Sequence, residues 1–197
     1  MYIIVGLGNP GEEYEGTRHN TGRIVLEALR KMHDFSEWVA EKKYQALVSE
    51  GKIGKEKVIL LLPETFMNNS GKSLKNVITS EKKAETLAVV QDDLDLPLGH
   101  LKVSFNHGSG GHRGIESIIR AIKTEKFIRI RIGISPSTAS GKLKKPIGGE
   151  AVEKHILGKF KKTEEAALKK VSKRAAEAIS MVITDGLGIA MGKYNSN

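Results

Sequence analysis

His19 and Asp92 are the two residues in this 197-residue chain whose types and places best suit acid–base chemistry. His19 stands in Tyr14-Glu-Gly-Thr-Arg18-His19-Asn20, immediately before a segment with helical spacing. A histidine there faces the positive end of a helix dipole, which disfavours the imidazolium and leaves a neutral ring nitrogen available to take a proton. Such a base needs a carboxylate on its other nitrogen, both to orient the ring and to stabilise the charge that develops during reaction. Asp92 follows the apolar run Leu87–Gln91, and ligands in open α/β sheets bind where strands end.

Blander readings exist for both. A lone histidine is more often structural or merely exposed, and Asp92, Asp93 and Asp95 could equally cap a turn. As a cluster the three carboxylates also suit a hard cation such as magnesium. That reading describes a metal-dependent phosphoesterase, distinguished by loss of activity in chelator.

Two further segments carry polar groups toward the same sheet edge. In Thr65-Phe66-Met67-Asn68-Asn69-Ser70-Gly71, Asn68 could aim an amide at a cleft and Phe66 could offer a face for a base to stack on, while Asn69 or Ser70 reads as a helix cap. Gly108-Ser109-Gly110-Gly111-His112-Arg113-Gly114 precedes a helix, an arrangement that presents backbone N–H groups to an anion or else serves as a flexible connector. The first loop, Gly6-Leu-Gly8-Asn9-Pro10-Gly11, formally matches the dinucleotide fingerprint. That fingerprint requires a helix to open at the loop, whereas Pro10-Gly11 makes a turn and the helical spacing starts only after His19.

The elements that must position these groups alternate in period. Residues 2–7, Tyr44–Glu50, Lys57–Leu62, Leu87–Gln91, Leu101–Phe105 and Phe127–Ile134 read as strands, the last with Arg129 and Arg131 on one side. Helical spacing marks Val25 to Met32, with Asn20 or Thr21 as the cap, then Leu74, Val77 and Ile78, then Ile115 to Ile122, and finally an amphipathic helix over 163–184. Residues 135–149 carry no periodic pattern and read as a mobile surface loop. The expected fold is α/β, a single-domain three-layer sandwich over residues 1–197, with a mixed β-sheet flanked by helices and some strand pairs antiparallel.

Composition narrows the classes. The absence of cysteine excludes disulfides, thiolate metal sites and a cysteine nucleophile. No apolar run reaches the roughly 20 residues needed to cross a bilayer, and the N-terminus lacks the pattern of a signal peptide, so a soluble cytoplasmic protein is expected. The formal charge is +9, with the excess concentrated between Lys142 and Arg174; a surface of this kind favours polyanions such as nucleic acid, although a solvated helix face accounts for it as well.

Taken together, the segments IVGLGNPGEEYEGTRHNTG, PETFMNNSGKSL, VVQDDLDLPLG, GSGGHRGIESI and FIRIRIGI, followed by HILGKF and TDGL, closely resemble the bacterial-type peptidyl-tRNA hydrolase family. The resemblance implies a monomeric hydrolase that recycles prematurely released peptidyl-tRNA, with no metal or organic cofactor and no obligate protein partner. On matching positions it implies His19 as the general base, Asp92 as the group orienting it, and Asn9 as the residue that discriminates peptidyl-tRNA from free aminoacyl-tRNA. Asn68 would hold the substrate near the ester, Tyr14 and Phe66 would line the site, and Lys102 and Arg131, expected to be exposed on a strand face, would hold the acceptor-stem phosphate. The chain departs from the family at Arg113, where an asparagine is common, at Gln91, where a histidine often stands, and in the Lys142-Leu-Lys144-Lys145 loop. A guanidinium donates but never accepts hydrogen bonds, so Arg113 would instead bind a phosphate or the peptide carbonyl. A non-catalytic RNA-binding relative of the same fold, such as the chloroplast group II intron splicing factor, is the main alternative.

Overall fold

Ile3, Ile4 and Val5 lie at the centre of β1 (Tyr2–Gly6) and, as a run apolar on both faces predicts, β1 is a central strand covered on both sides. The computed structural model describes residues 1–138 and 140–196. β1 pairs in parallel with β4 (Glu56–Pro63) and with β5 (Leu87–Pro97), and β5 pairs in parallel with β7 (Ile128–Ser135). The flanks are antiparallel: β2 (Val39–Glu41) on β3 (Ala46–Ile53), β3 on β4, and β6 (Leu101–Phe105) on β7. The sheet runs β2-β3-β4-β1-β5-β7-β6, the mixed sheet that the short strand connections imply.

The alternation of side chains sends Ile4, Leu60, Val90 and Ile130 to one face, where they pack with α1 (Thr21–Met32), α5 (Lys162–Thr184) and α6 (Leu187–Asn195). Ile3, Val5, Leu61 and Val89 face the other way, onto α3 (Arg113–Ile122) and the 3₁₀ segment Met67–Ser73. Two apolar layers on either side of one sheet make the expected three-layer sandwich. A short α2 (Glu81–Ala84), capped by Ser80, and α4 (Gly149–Ile156) complete the helices.

Three local expectations are corrected. The helix expected around Leu74, Val77 and Ile78 is a 3₁₀ segment followed by isolated turns, although Leu74 and Ile78 are buried as their spacing requires. Here the chain is pressed onto α3. The Gly71 N–H donates to Ser117 Oγ at 3.0 Å, and a Cβ on Gly71 would lie 2.2 Å from the Ser117 carbonyl oxygen, so tertiary contact prevails over helical propensity. Asp92, Asp93 and Asp95 do not form a loop after Gln91, because β5 continues to Pro97. Its pairing with β7 extends through Asp92↔Ile132 and Asp93↔Gly133 and, after an irregularity, to Pro97↔Ser135. Gly133 makes this possible, since a Cβ there would sit 2.0 Å from the Pro97 carbonyl oxygen. Residues 135–149 are not featureless either: Ser137 and Leu143 form an antiparallel bridge. Neither β2, α4 nor α6 was legible as a periodic segment.

Candidate functional site

The site begins with two glycines. A Cβ on Gly22 would lie 2.4 Å from the Leu7 backbone nitrogen and 2.5 Å from the Val90 carbonyl oxygen, and one on Gly6 would lie 2.5 Å from the Gly22 carbonyl oxygen. The first turn of α1 therefore rests directly on the backbone at the carboxyl end of β1 and beside Val90 of β5, which no residue with a side chain would permit. The one-turn 3₁₀ segment Arg18–Asn20 just ahead of α1 is thereby carried alongside β5 at Asp92.

Arg18 secures that turn from behind. Its guanidinium donates to the Gly158 and Lys159 carbonyls and forms an ion pair with Glu164 at 2.7 Å, stacked over Phe160. Backbone bonds between Arg18 and Gly158 and between Phe160 and Gly16 reinforce the contact.

His19 meets Asp92 as expected: Nδ1 lies 2.9 Å from Oδ1, with both side chains buried. The bond places the ring proton on Nδ1 and leaves Nε2, which faces the cleft, with its lone pair. Burial pulls the His19 pKa down and the nearby Arg113 charge adds to that. The charge and hydrogen bond of Asp92 more than offset both, so the net shift is upward from 6.5. Burial likewise disfavours the Asp92 carboxylate, but the two imidazoles around it prevail and hold its pKa well below the usual carboxylate range.

The second imidazole, His112, is the functional group that sequence reasoning missed. Its Nε2 is 3.0 Å from the same Asp92 oxygen, and the two rings lie 5.2 Å apart. His112 is also the N-cap of α3: Nδ1 accepts the Gly114 and Ile115 N–H groups. A nitrogen that accepts carries no proton, so the cap fixes the proton on Nε2 and makes His112 a donor to Asp92. Of the backbone N–H groups that this loop and helix start could present to an anion, those of Gly114 and Ile115 are taken by His112. The only available signal in the sequence was a histidine immediately before a helix, the same signal that singled out His19.

Asn9 is held so that one amide donor remains free. Its Oδ1 accepts the Met67 N–H at 2.8 Å, while the Asn20 side chain clasps its backbone through both N–H and C=O. Asn20 is indeed the residue before α1, yet it makes no cap bond of its own. With Oδ1 engaged, Asn9 Nδ2 is the group left to face the cleft.

The cleft has a volume of about 520 Å³, and Asn9, Tyr14, His19, Phe66, Asn68, Asp92, Arg113 and Arg131 all line it. Tyr14 meets Phe66 edge to face at 6.3 Å, and Phe66 is 57% exposed at the rim. Lys102 does not line the cleft. It is exposed on β6 directly opposite Arg131, hence on the same sheet face.

The exposure expected of Arg131 is corrected. Its side chain is 15% exposed and pairs with Asp93 at 2.5 Å, while Lys145 pairs with Asp95. Asp93 and Asp95 thus neutralise cations, and the three carboxylates do not converge as a magnesium cluster would require. Among the described residues His19, Asp92 and His112 form a group with metal-ligand spacing, but His112 Nε2 carries the proton that its cap bonds assign to it, so this donor set does not fit an ion. Arg129 is buried; it donates to Gln91 Oε1 and to the carbonyls of His107 and Gly108. Burial, with Arg131 adding to it, pulls its pKa down to about 10. Gln91 therefore anchors the buried arginine that ties down the loop leading to His112.

The family model for peptidyl-tRNA hydrolase matches residues 3–197. The chain belongs to the peptidyl-tRNA hydrolase family. It is 43% identical to the peptidyl-tRNA hydrolase of Caldanaerobacter subterraneus subsp. tengcongensis, over 99% of this chain and 100% of that protein. Identity to the Carboxydothermus hydrogenoformans peptidyl-tRNA hydrolase is 41%, over 99% and 98% of the two chains. The crystal structure of the Acinetobacter baumannii peptidyl-tRNA hydrolase superposes with a TM-score of 0.87 at 31% identity, covering 100% of this chain and 95% of that one.

In this member of the peptidyl-tRNA hydrolase family the role of His112 can be separated from simple packing. His112→Ala removes one of two donors on Asp92 together with the cap of α3. It is expected to cost about 1 kcal/mol of stability and to lower kcat/KM by about ten-fold. Asp92, relieved of one donor, then holds the His19 proton more tightly, so the acid limb of the pH–rate profile moves upward. A slower variant with an unmoved limb would show that His112 acts only through packing.

Proposed function

We propose that the protein hydrolyses the ester between a peptide and the 3′ end of tRNA, releasing intact tRNA and a peptide with a free carboxylate. The observation that carries this reading is the His19–Asp92 pair, whose free Nε2 opens into the same cleft as the unengaged amide of Asn9. A water between Nε2 and the ester carbonyl gives its proton to His19 and adds to the carbon; Asp92 stabilises the resulting imidazolium. The oxyanion of the tetrahedral intermediate takes hydrogen bonds from the Asn9 and Asn68 amides. Collapse expels the ribose oxygen, which takes the proton back from His19. A ribose alkoxide is a far better leaving group than the amide anion that an unprotonated peptide nitrogen would have to become, so one base and two amide donors are adequate for the ester and leave peptide bonds intact.

Tyr14 and Phe66 offer aromatic surface at the rim to the terminal base and the peptide. Arg131 in the cleft wall and Lys102, outside the cleft but opposite it on β6, supply positive charge for an acceptor-stem phosphate. On this reading the protein acts as a monomer in the cytoplasm; no helix among the described residues is long and apolar enough to cross a membrane. The test is hydrolysis of N-acetylaminoacyl-tRNA beside unblocked aminoacyl-tRNA, both in chelator. Selective release of the blocked amino acid is expected. Binding of tRNA without cleavage would assign the chain to the RNA-binding relatives, and loss of activity in chelator would return the metal phosphoesterase.

A further inference from the structure

Four cations other than histidine line the cleft, and three of them have partners. Arg131 is paired with Asp93 and Lys145 with Asp95, and Arg129 donates to Gln91 and to two loop carbonyls. Arg113 differs: it is exposed, lines the cleft, and has neither an ion pair nor a side-chain hydrogen bond among the described residues. The acids around it do not serve it. Asp92 is occupied by two imidazoles, Glu116 accepts from Ser109, and Glu153, on α4 in the cleft lining, makes no ion pair among the described residues.

The position of Arg113 is also unfavourable for a cation. It is the first residue of α3, where the helix dipole favours negative charge. The Gly114 and Ile115 N–H groups are already bound to His112, so at this end the guanidinium is the charged donor left to meet an anion. Its charge reaches the base, since it opposes protonation of His19.

We propose that the Arg113 guanidinium binds the phosphodiester on the 5′ side of the 3′-terminal nucleoside of the substrate, an inference that rests on the hydrolase reading above. In a peptidyl ester the peptide carboxyl is consumed in the scissile bond. The anion held at a fixed place relative to that bond is then the phosphodiester one ribose away. A guanidinium presents two parallel N–H donors that match two phosphate oxygens. Docking the phosphate there supplies the counter-charge that the protein lacks, and does so only when the ester lies beside His19.

The experiment compares two substrates that differ in that phosphate: N-acetylaminoacyl-tRNA and the N-acetylaminoacyl ester of adenosine, which has none. With Arg113→Gln, assayed on the alkaline plateau where His19 is neutral in both enzymes, KM for the tRNA ester is expected to rise about ten-fold, while KM for the adenosine ester changes far less. The slope of log KM against log salt for the tRNA ester should become shallower by about 0.7, the value for one phosphate contact on a single strand. Arg113→Lys, which keeps the charge but not the fork, should fall between the two. Equal losses on both substrates, or no loss on either, would overturn the assignment. Wild-type enzyme that cleaves neither ester would instead remove the hydrolase reading beneath it.

Discussion

Replacing His19 by alanine is expected to lower kcat by about 10²- to 10⁴-fold, the usual contribution of a positioned general base, with little change in KM. His19 touches the reacting water rather than the bulk of the substrate, so its loss falls on the transition state and not on binding. In the wild type the base acts only when neutral. Because the His19 pKa is raised, kcat/KM should fall as the pH drops through a value above 6.5, and the plateau should lie on the alkaline side. Measured kcat, KM and pH profiles on N-acetylaminoacyl-tRNA check both statements. A variant that retains full kcat would remove His19 from the chemistry.

Asp92→Asn has the second largest expected effect and separates charge from geometry. Both imidazoles donate to a single oxygen, Oδ1, and an asparagine Oδ1 can accept both bonds, so the fold should tolerate the change. The negative charge is what disappears. The remaining hydrogen bond offsets less of the burial of His19 and the repulsion from Arg113 than the carboxylate did, so the imidazolium formed during reaction becomes expensive and the His19 pKa falls. The expected result is a loss of kcat of roughly 10²-fold or more, with the acid limb displaced to lower pH. Asp92→Ala, by contrast, leaves two buried donors without an acceptor, at about 1–3 kcal/mol each, and should be visibly less stable in thermal denaturation. An asparagine variant whose acid limb does not move would show that Asp92 orients the ring without setting its basicity.

Much of this arrangement is legible in the sequence. The apolar runs that became β1, β4, β5 and β7, and the helical spacings of α1, α3 and α5, each report which face of a local segment is removed from water. Period and turn residues sufficed to place His19 ahead of a helix and Asp92 just past a buried strand, although they ended that strand at Gln91 where β5 continues to Pro97. The family resemblance then assigned roles to Asn9, Asn68, Tyr14 and Phe66, all of which line the cleft.

Other features depended on contacts between segments distant in sequence. The helix expected around Leu74, Val77 and Ile78 gave way to a 3₁₀ segment and turns packed closely on Ser117, and Arg131 lost its exposure to Asp93. Asn20 clasped Asn9 instead of capping α1. Periodicity is a property of neighbours three or four residues apart and is silent on such partners. The sequence by itself determined that a histidine and a carboxylate would lie at the carboxyl edge of a mixed sheet. Tertiary structure alone decided that a second histidine would reach the same carboxylate oxygen, because Arg129 on another strand anchors the glycine-rich loop that delivers it.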